Sequence, residues 1–132
     1  MIFVDTSFWV AYRDERDANH ARAKMIMAEL CRARASLVIT GHIFAETHAY
    51  FVRSVPKREQ VIRDLLDNPV VSVMETDYRD RELALKWLGD YRDKAWSYVD
   101  ALSFALIARM KIRAAVSFDQ HFGQPGGFKC IS

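Results

Sequence analysis

Cysteine, proline and glycine are all scarce in this chain, at two, three and five residues of 132. The two cysteines, Cys31 and Cys130, are too few for a disulfide scaffold and have no metal-ligand company, which excludes a structural zinc site and suits a reducing compartment. With so little proline and glycine, no linker divides the chain, and no low-complexity tract or internal repeat appears. No apolar run is long enough to cross a bilayer. No basic leader precedes the opening MIFVDTS, so no signal peptide is expected and the cytoplasm is the expected location. Charge of one sign is also nearly absent: the formal net charge is +2, which permits a polyanionic partner without pointing to one.

What remains is an ordinary globular composition, with 51% hydrophobic and 27% charged residues. Residues 1–132 read as one domain, large enough to hide roughly two-thirds of the surface its unfolded chain exposes. Short apolar runs read as strands at residues 2–4, 37–40, 70–73, 114–118 and 128–131. They lack the alternation of half-exposed strands and look buried on both faces. Helical periodicity fills residues 18–33 and 42–54. A third helix begins at Pro56 and is stopped by Asn68-Pro69, and a fourth starts from a Thr76/Asp77 cap. The segment SYVDALSFALIARM (97–110) is a fifth, apolar almost all the way round. The order gives an α/β fold with a central, mostly parallel five-stranded sheet and helices on both faces.

Functional groups in such sheets gather beyond the carboxyl ends of the strands. Asp5 follows the first strand and Asp119 the fourth. Glu46 lies in the helix after the second strand, and Asp100 in the first turn of the apolar helix. Each has an ordinary reading. Asp5 and Asp119 suit helix N-caps, Ser97 and Asp100 match a capping box, and Glu46 suits a solvent-facing pair with Arg53. Against all four holding at once stands the cost of carboxylates on such apolar helices. Clustered carboxylates also repel one another unless a divalent cation compensates. Oxygen-only ligation selects a hard ion, Mg²⁺ or Mn²⁺, and such ions commonly serve phosphate chemistry.

VDTS at the N-terminus, Glu46 in the FAET segment, DKAWSYVDALSFAL and FDQHF together resemble the PIN-domain nucleases, and among them the VapC-type toxins of toxin–antitoxin pairs. The resemblance runs from residue 2 to about 131. It implies a PIN-like three-layer α/β/α sandwich, a Mg²⁺- or Mn²⁺-dependent endoribonuclease, a homodimer, and neutralisation by a VapB-type antitoxin. It maps the acidic site onto Asp5, Glu46, Asp100 and Asp119, with Asp5 and Asp100 as metal ligands. Thr6 and Ser7 would lie beside that site, and Ser97 would support the start of the helix. The number of ions, the part played by Asp119 and the role of Asp93 stay open.

For RNA contacts, Arg13 and Lys94 are the favoured cations because their segments adjoin the acidic rim, ahead of Arg53, Lys57 and Arg58. Trp96 and Phe122 are candidates for base stacking. His42 and Glu46 have helical i, i+4 spacing but lack further zinc ligands, and His121 follows Asp119 closely. Met25, Met27, Phe44, Tyr50, Phe51 and Trp87 read as core or protein interface. The competing functions are a non-toxin PIN nuclease of RNA processing, an inactive PIN-like module, and a Mg²⁺-dependent phosphatase. The last is disfavoured because Asp5 is followed by Thr6 and Ser7 and not by a second aspartate.

Overall fold

The computed structural model describes residues 1–132. In chain order its elements are β1 (Ile2–Val4), α1 (Thr6–Arg13), α2 (His20–Arg32), β2 (Leu37–Thr40), α3 (Gly41–Tyr50) and α4 (Val55–Leu65). They continue as β3 (Val71–Met74), α5 (Tyr78–Asp90), α6 (Tyr98–Met110), β4 (Ala114–Val116) and β5 (Lys129–Ile131). The strands form one sheet in the order β3-β2-β1-β4-β5. Every pairing is parallel, so the sheet expected to be mostly parallel is parallel throughout.

Right-handed crossovers explain the layers. The chain steps from β1 to β2 to β3 in one direction, laying α1 to α4 on one face. It then returns over β2 and β1 to reach β4, which lays α5 and α6 on the other. Helix contacts follow that division: α1 packs on α2 and α3, α3 on α4, and α5 on α6. The result is the expected α/β/α sandwich.

Two departures from the sequence reading have local causes. The segment between β1 and β2 holds two helices, not one. TSFWVAYR has modest helix propensity; Phe8, Trp9 and Ala11 are nevertheless buried along one side, and Asp5 caps the helix. The helix expected over 42–54 ends at Tyr50, because Ser54 is already the cap of α4 and accepts from the Lys57 N–H at 3.4 Å. Pro56 in the first turn of α4 then costs no hydrogen bond.

The core is a cluster of 24 buried residues running from Phe3 to Phe122. Helix α6 buries seven consecutive residues, Ala101 to Ile107. Such all-round burial is what its composition requires: one side meets the sheet, and Ala101 and Leu102 meet Ala84 of α5. At the far end, Arg109 forks onto Asp80, with Nε and Nη2 each 2.8 Å from a carboxylate oxygen. Asp80 is 2% exposed, so this pair pins the α5–α6 antiparallel packing from inside.

Candidate active site

The chain leaves β1 toward one face and reaches β4 from the other, so β1 and β4 flank the point where the connections reverse. A crevice forms at the carboxyl ends of strands at such a point. Asp5 and Asp119 emerge there.

Asp5 is buried and serves as the N-cap of α1. Its Oδ2 accepts from the Ser7 N–H at 3.3 Å, the Ser7 hydroxyl at 2.7 Å and the Ser117 hydroxyl at 2.8 Å. The Ser7 oxygen in turn accepts from the Phe118 N–H at 2.9 Å, and the Ser117 oxygen from the Asp119 N–H at 3.0 Å. Two serines thus tie the end of β1 to the end of β4. Ser117 was not among the residues singled out from sequence. Its signal was its place two residues before Asp119, at the end of a buried strand.

Asp100 and Ser97 form the expected capping box. The Ser97 N–H donates to Asp100 Oδ2 at 2.9 Å, and the Asp100 N–H donates to Ser97 Oγ at 3.0 Å. Glu46 is exposed and accepts at 2.7 Å from the Thr6 hydroxyl. Its expected partner Arg53 lies beyond the end of α3, so that pairing is replaced by Thr6. Asp119 accepts from the His121 N–H at 2.8 Å.

For Asp5 and Asp100 the capping and site readings are compatible; Asp119, expected to cap a helix, caps none, because turns and no helix lie between it and β5. In each of Asp5, Glu46, Asp100 and Asp119, one carboxylate oxygen takes every hydrogen bond the chain supplies, leaving the other free. No lysine or arginine forms an ion pair with any of the four.

The electrostatics record the crowding. Burial pushes the Asp5 carboxyl up to about 6; the serine hydrogen bonds oppose this, and Asp100 adds to it. Burial also raises Asp100, where Asp119 pushes further and His121 pulls back. Asp100 therefore feels Asp5, Asp119 and His121 together. Cys130 on β5 is raised by burial and then by Asp5, which places that thiol beside the same rim.

This donor set suits a hard divalent cation. It offers oxygen only, carries uncompensated negative charge and has free lone pairs. No three His, Cys, Asp or Glu side chains stand close enough to encage an ion by themselves. Such a set leaves waters and substrate phosphate oxygens to complete the shell of a hard divalent cation held by one or two carboxylates.

The other candidate residues fall in different places. Arg13 sits at the far end of α1, about 10 Å along the helix from Thr6. It is held there by a two-pronged ion pair with Asp64 of α4, Nη2 to Oδ1 at 2.7 Å. It is therefore a tie between helices and does not adjoin the rim as expected. The Lys94 ammonium is 3.6 Å from Asp93 and lines a cleft behind α6. Phe122 is core, packed on Phe3 and Phe104. Trp96 is also buried, edge-on to Phe104, with its indole N–H donating to Gln124 Oε1 at 2.9 Å. That leaves little of its ring open for stacking. His42 is exposed and meets the Tyr98 ring edge-on, with no further ligand near.

Comparison with known proteins agrees with this geometry. The family model described as PIN domain matches residues 2–127. The 23S rRNA-specific endonuclease VapC20 of Mycobacterium tuberculosis is 34% identical over 128 residues, covering 96% of this chain and 95% of the relative. The crystal structure of M. tuberculosis VapC20, described as a sarcin-ricin loop cleaving toxin, superposes with a TM-score of 0.83 at 30% identity, covering 96% and 95% of the two chains. Two more distant structures share the fold. A toxin–antitoxin complex from Klebsiella pneumoniae has a TM-score of 0.73 at 14% identity, covering 100% of this chain and 97% of its own. FitAcB from Neisseria gonorrhoeae has 0.74 at 11% identity with the same coverage. The chain belongs to the PIN-domain family of metal-dependent nucleases, and within it to the VapC-type endoribonuclease toxins.

Proposed function

We propose that this chain, residues 1–132 acting as one PIN domain, hydrolyses an RNA phosphodiester at the rim formed by Asp5, Glu46, Asp100 and Asp119, with Mg²⁺ (or Mn²⁺) as cofactor. The observation that carries this is the set of four uncompensated carboxylates, each with a free oxygen, at the one point where the sheet connections reverse. Asp5 and Asp100 are the proposed ion ligands. A bound divalent cation polarises the phosphoryl oxygen and eases deprotonation of the attacking water.

The chain's own residues supply orientation and water handling. Ser7 and Ser117 saturate one oxygen of Asp5 and leave the other free of hydrogen bonds. The capping box does the same for Asp100, and Thr6 does so for Glu46. Glu46 and Asp119 then flank the place where a water would approach the phosphorus, and each can accept its proton. In-line attack by water leaves a 5′-phosphate and a 3′-hydroxyl. Thr6 and Ser7 border the scissile phosphate, while Ser97 acts through Asp100.

By likeness to VapC20 the substrate class is ribosomal RNA; the resemblance to VapC-type toxins further implies a cognate VapB-type antitoxin and a cytoplasmic homodimer. The test is incubation of the purified protein with ribosomes and Mg²⁺, followed by mapping of the new RNA ends. Discrete cuts with 5′-phosphates, abolished by a chelator, are expected; 5′-hydroxyl ends or chelator-resistant cutting overturn the mechanism. Expression without an antitoxin should arrest growth. Cleavage without arrest would favour RNA processing over a toxin.

A further inference from the structure

One cleft in the molecule is lined by none of the four acids. It has a volume of about 520 Å³ and lies behind α6, between α5, the segment joining α5 to α6, and the loop before β5. Its walls include Trp87, Tyr91 and Phe128, with Trp96 forming part of the floor. Three cations reach it, Lys94, Lys111 and Arg113, and its lining contains no aspartate or glutamate. Lys111 and Arg113 are exposed and have no ion-pair partner; Lys94 has only the loose contact with Asp93. Tyr91 is 47% exposed, so a ring remains free at the mouth.

A helix C-terminus attracts cations, which accounts for Lys111 as a cap of α6. It does not account for Lys94, which comes from the other end of the helix, or for the aromatic walls. Aromatic faces interleaved with unpaired cations, and no acid, match the chemistry of a single-stranded nucleic acid: phosphates for the cations and bases for the rings. An acidic peptide would satisfy the cations but would leave the rings without planar partners.

The cleft also connects to the acidic rim. The Trp96 indole donates to Gln124, the Gln124 amide meets His121 Nδ1 at 3.2 Å, and the His121 N–H donates to Asp119. On the chain itself, Trp96 directly precedes Ser97, the cap of the Asp100 helix.

We propose that this cleft holds a short single-stranded stretch of the RNA substrate flanking the scissile bond. A base sits against Trp87 and Tyr91, and phosphates lie on Lys94, Lys111 and Arg113. This rests on the nuclease reading of the acidic rim and extends it to how the enzyme grips RNA outside the bond it cuts.

The test uses a fluorescent single-stranded RNA and the full-length protein in an Asp100→Asn background, so that binding is read without cleavage. Lys111→Ala/Arg113→Ala should weaken binding and reduce the slope of log affinity against log salt by about 1.4, at about 0.7 per lost phosphate contact. Trp87→Ala should weaken it about fivefold or more, the loss expected for one stacked base. In the cleaving protein the same changes should raise KM. Circular dichroism checks folding, and because Lys111 and Arg113 are exposed, their replacement tests the cleft even if the Trp87 variant unfolds. If the double variant binds RNA as tightly and with the same salt slope as its parent, the cleft proposal is overturned, and an acidic protein partner becomes the alternative occupant. If instead Asp100→Asn still cuts RNA, it is the reading of the acidic rim that fails, and the two outcomes are distinct.

Discussion

The Thr6 hydroxyl donates to Glu46 at 2.7 Å across 40 positions of sequence, joining the first residue of α1 to the middle of α3. Glu46 is otherwise exposed on a helix surface, where a free glutamate samples many rotamers. The hydrogen bond fixes one oxygen and leaves the other without a hydrogen-bond partner. Thr6→Val should therefore lower the cleavage rate by about tenfold to a hundredfold, the scale on which a misplacement of about 1 Å acts. Stability should change by no more than about 1 kcal/mol. Thr6→Ser, which keeps the hydroxyl, should restore most of the rate. Equal rates for wild type and Thr6→Val would remove Glu46 orientation from the mechanism.

Asp5 sets the pH dependence of the metal-free fold. Its carboxyl is raised from an ordinary 3.8 to about 6, chiefly by burial. The folded state therefore binds its proton more tightly than the unfolded state does. That contribution is fully present below about pH 4 and is lost as pH rises through about 6. The difference corresponds to about 3 kcal/mol. In chelator, Asp5→Asn should be more stable than wild type at pH 7.5 by up to that amount, with the gap closing toward pH 4. Parallel denaturation curves at both pH values would contradict it.

Divalent cation should offset the same repulsion. Adding Mg²⁺ at ten times its dissociation constant stabilises a one-site protein by about 1.4 kcal/mol, a rise of several degrees in Tm for a chain of this size. Wild type should show that rise at pH 7.5, and Asp5→Asn and Asp100→Asn should show little of it. A rise of the same size in all three would place the ion elsewhere.

Arg109 and Asp80 provide a control away from the rim. Removing the guanidinium leaves Asp80 buried at 2% exposure with no cationic partner. Arg109→Ala should cost about 3 kcal/mol in urea denaturation. A cost below about 1 kcal/mol would mean that the pair is not what holds α5 on α6.

Much of this was legible in the residues, and the gaps have physical reasons. The inner strands β1, β2 and β4 are largely buried and carry apolar runs, so they were visible, as was α6. Strands β3 and β5, expected to be buried on both faces, are edge strands that stay partly exposed, with Ser72 and Lys129 open to solvent. Helix α1 was hidden because its residues are poor helix formers and its stability comes from tertiary burial. Asp5 and Asp119 could be placed at one sheet edge because they follow strands, and Asp100 because it opens a helix; Glu46, in the middle of α3, could be assigned only to the helix after β2. Their hydrogen bonds could not be read in the same way. Thr6–Glu46 and the Ser7–Asp5–Ser117 lattice depend on which loops meet in space. Arg13 misled for the same reason: adjacency to Asp5 along the sequence becomes a helix length of separation, and Asp64 waits at the other end.

The central claim is that Asp100, with Asp5, makes this rim a metal-dependent RNA-cutting site. It is tested most directly by single-turnover cleavage of RNA by wild type and Asp100→Asn, with and without Mg²⁺, on proteins matched for folding by circular dichroism. The account predicts that wild-type cleavage requires the metal and that Asp100→Asn loses at least about a hundredfold in rate, as when an electrostatic element of a catalytic site is removed. Wild-type rates with wild-type metal dependence in Asp100→Asn would contradict it.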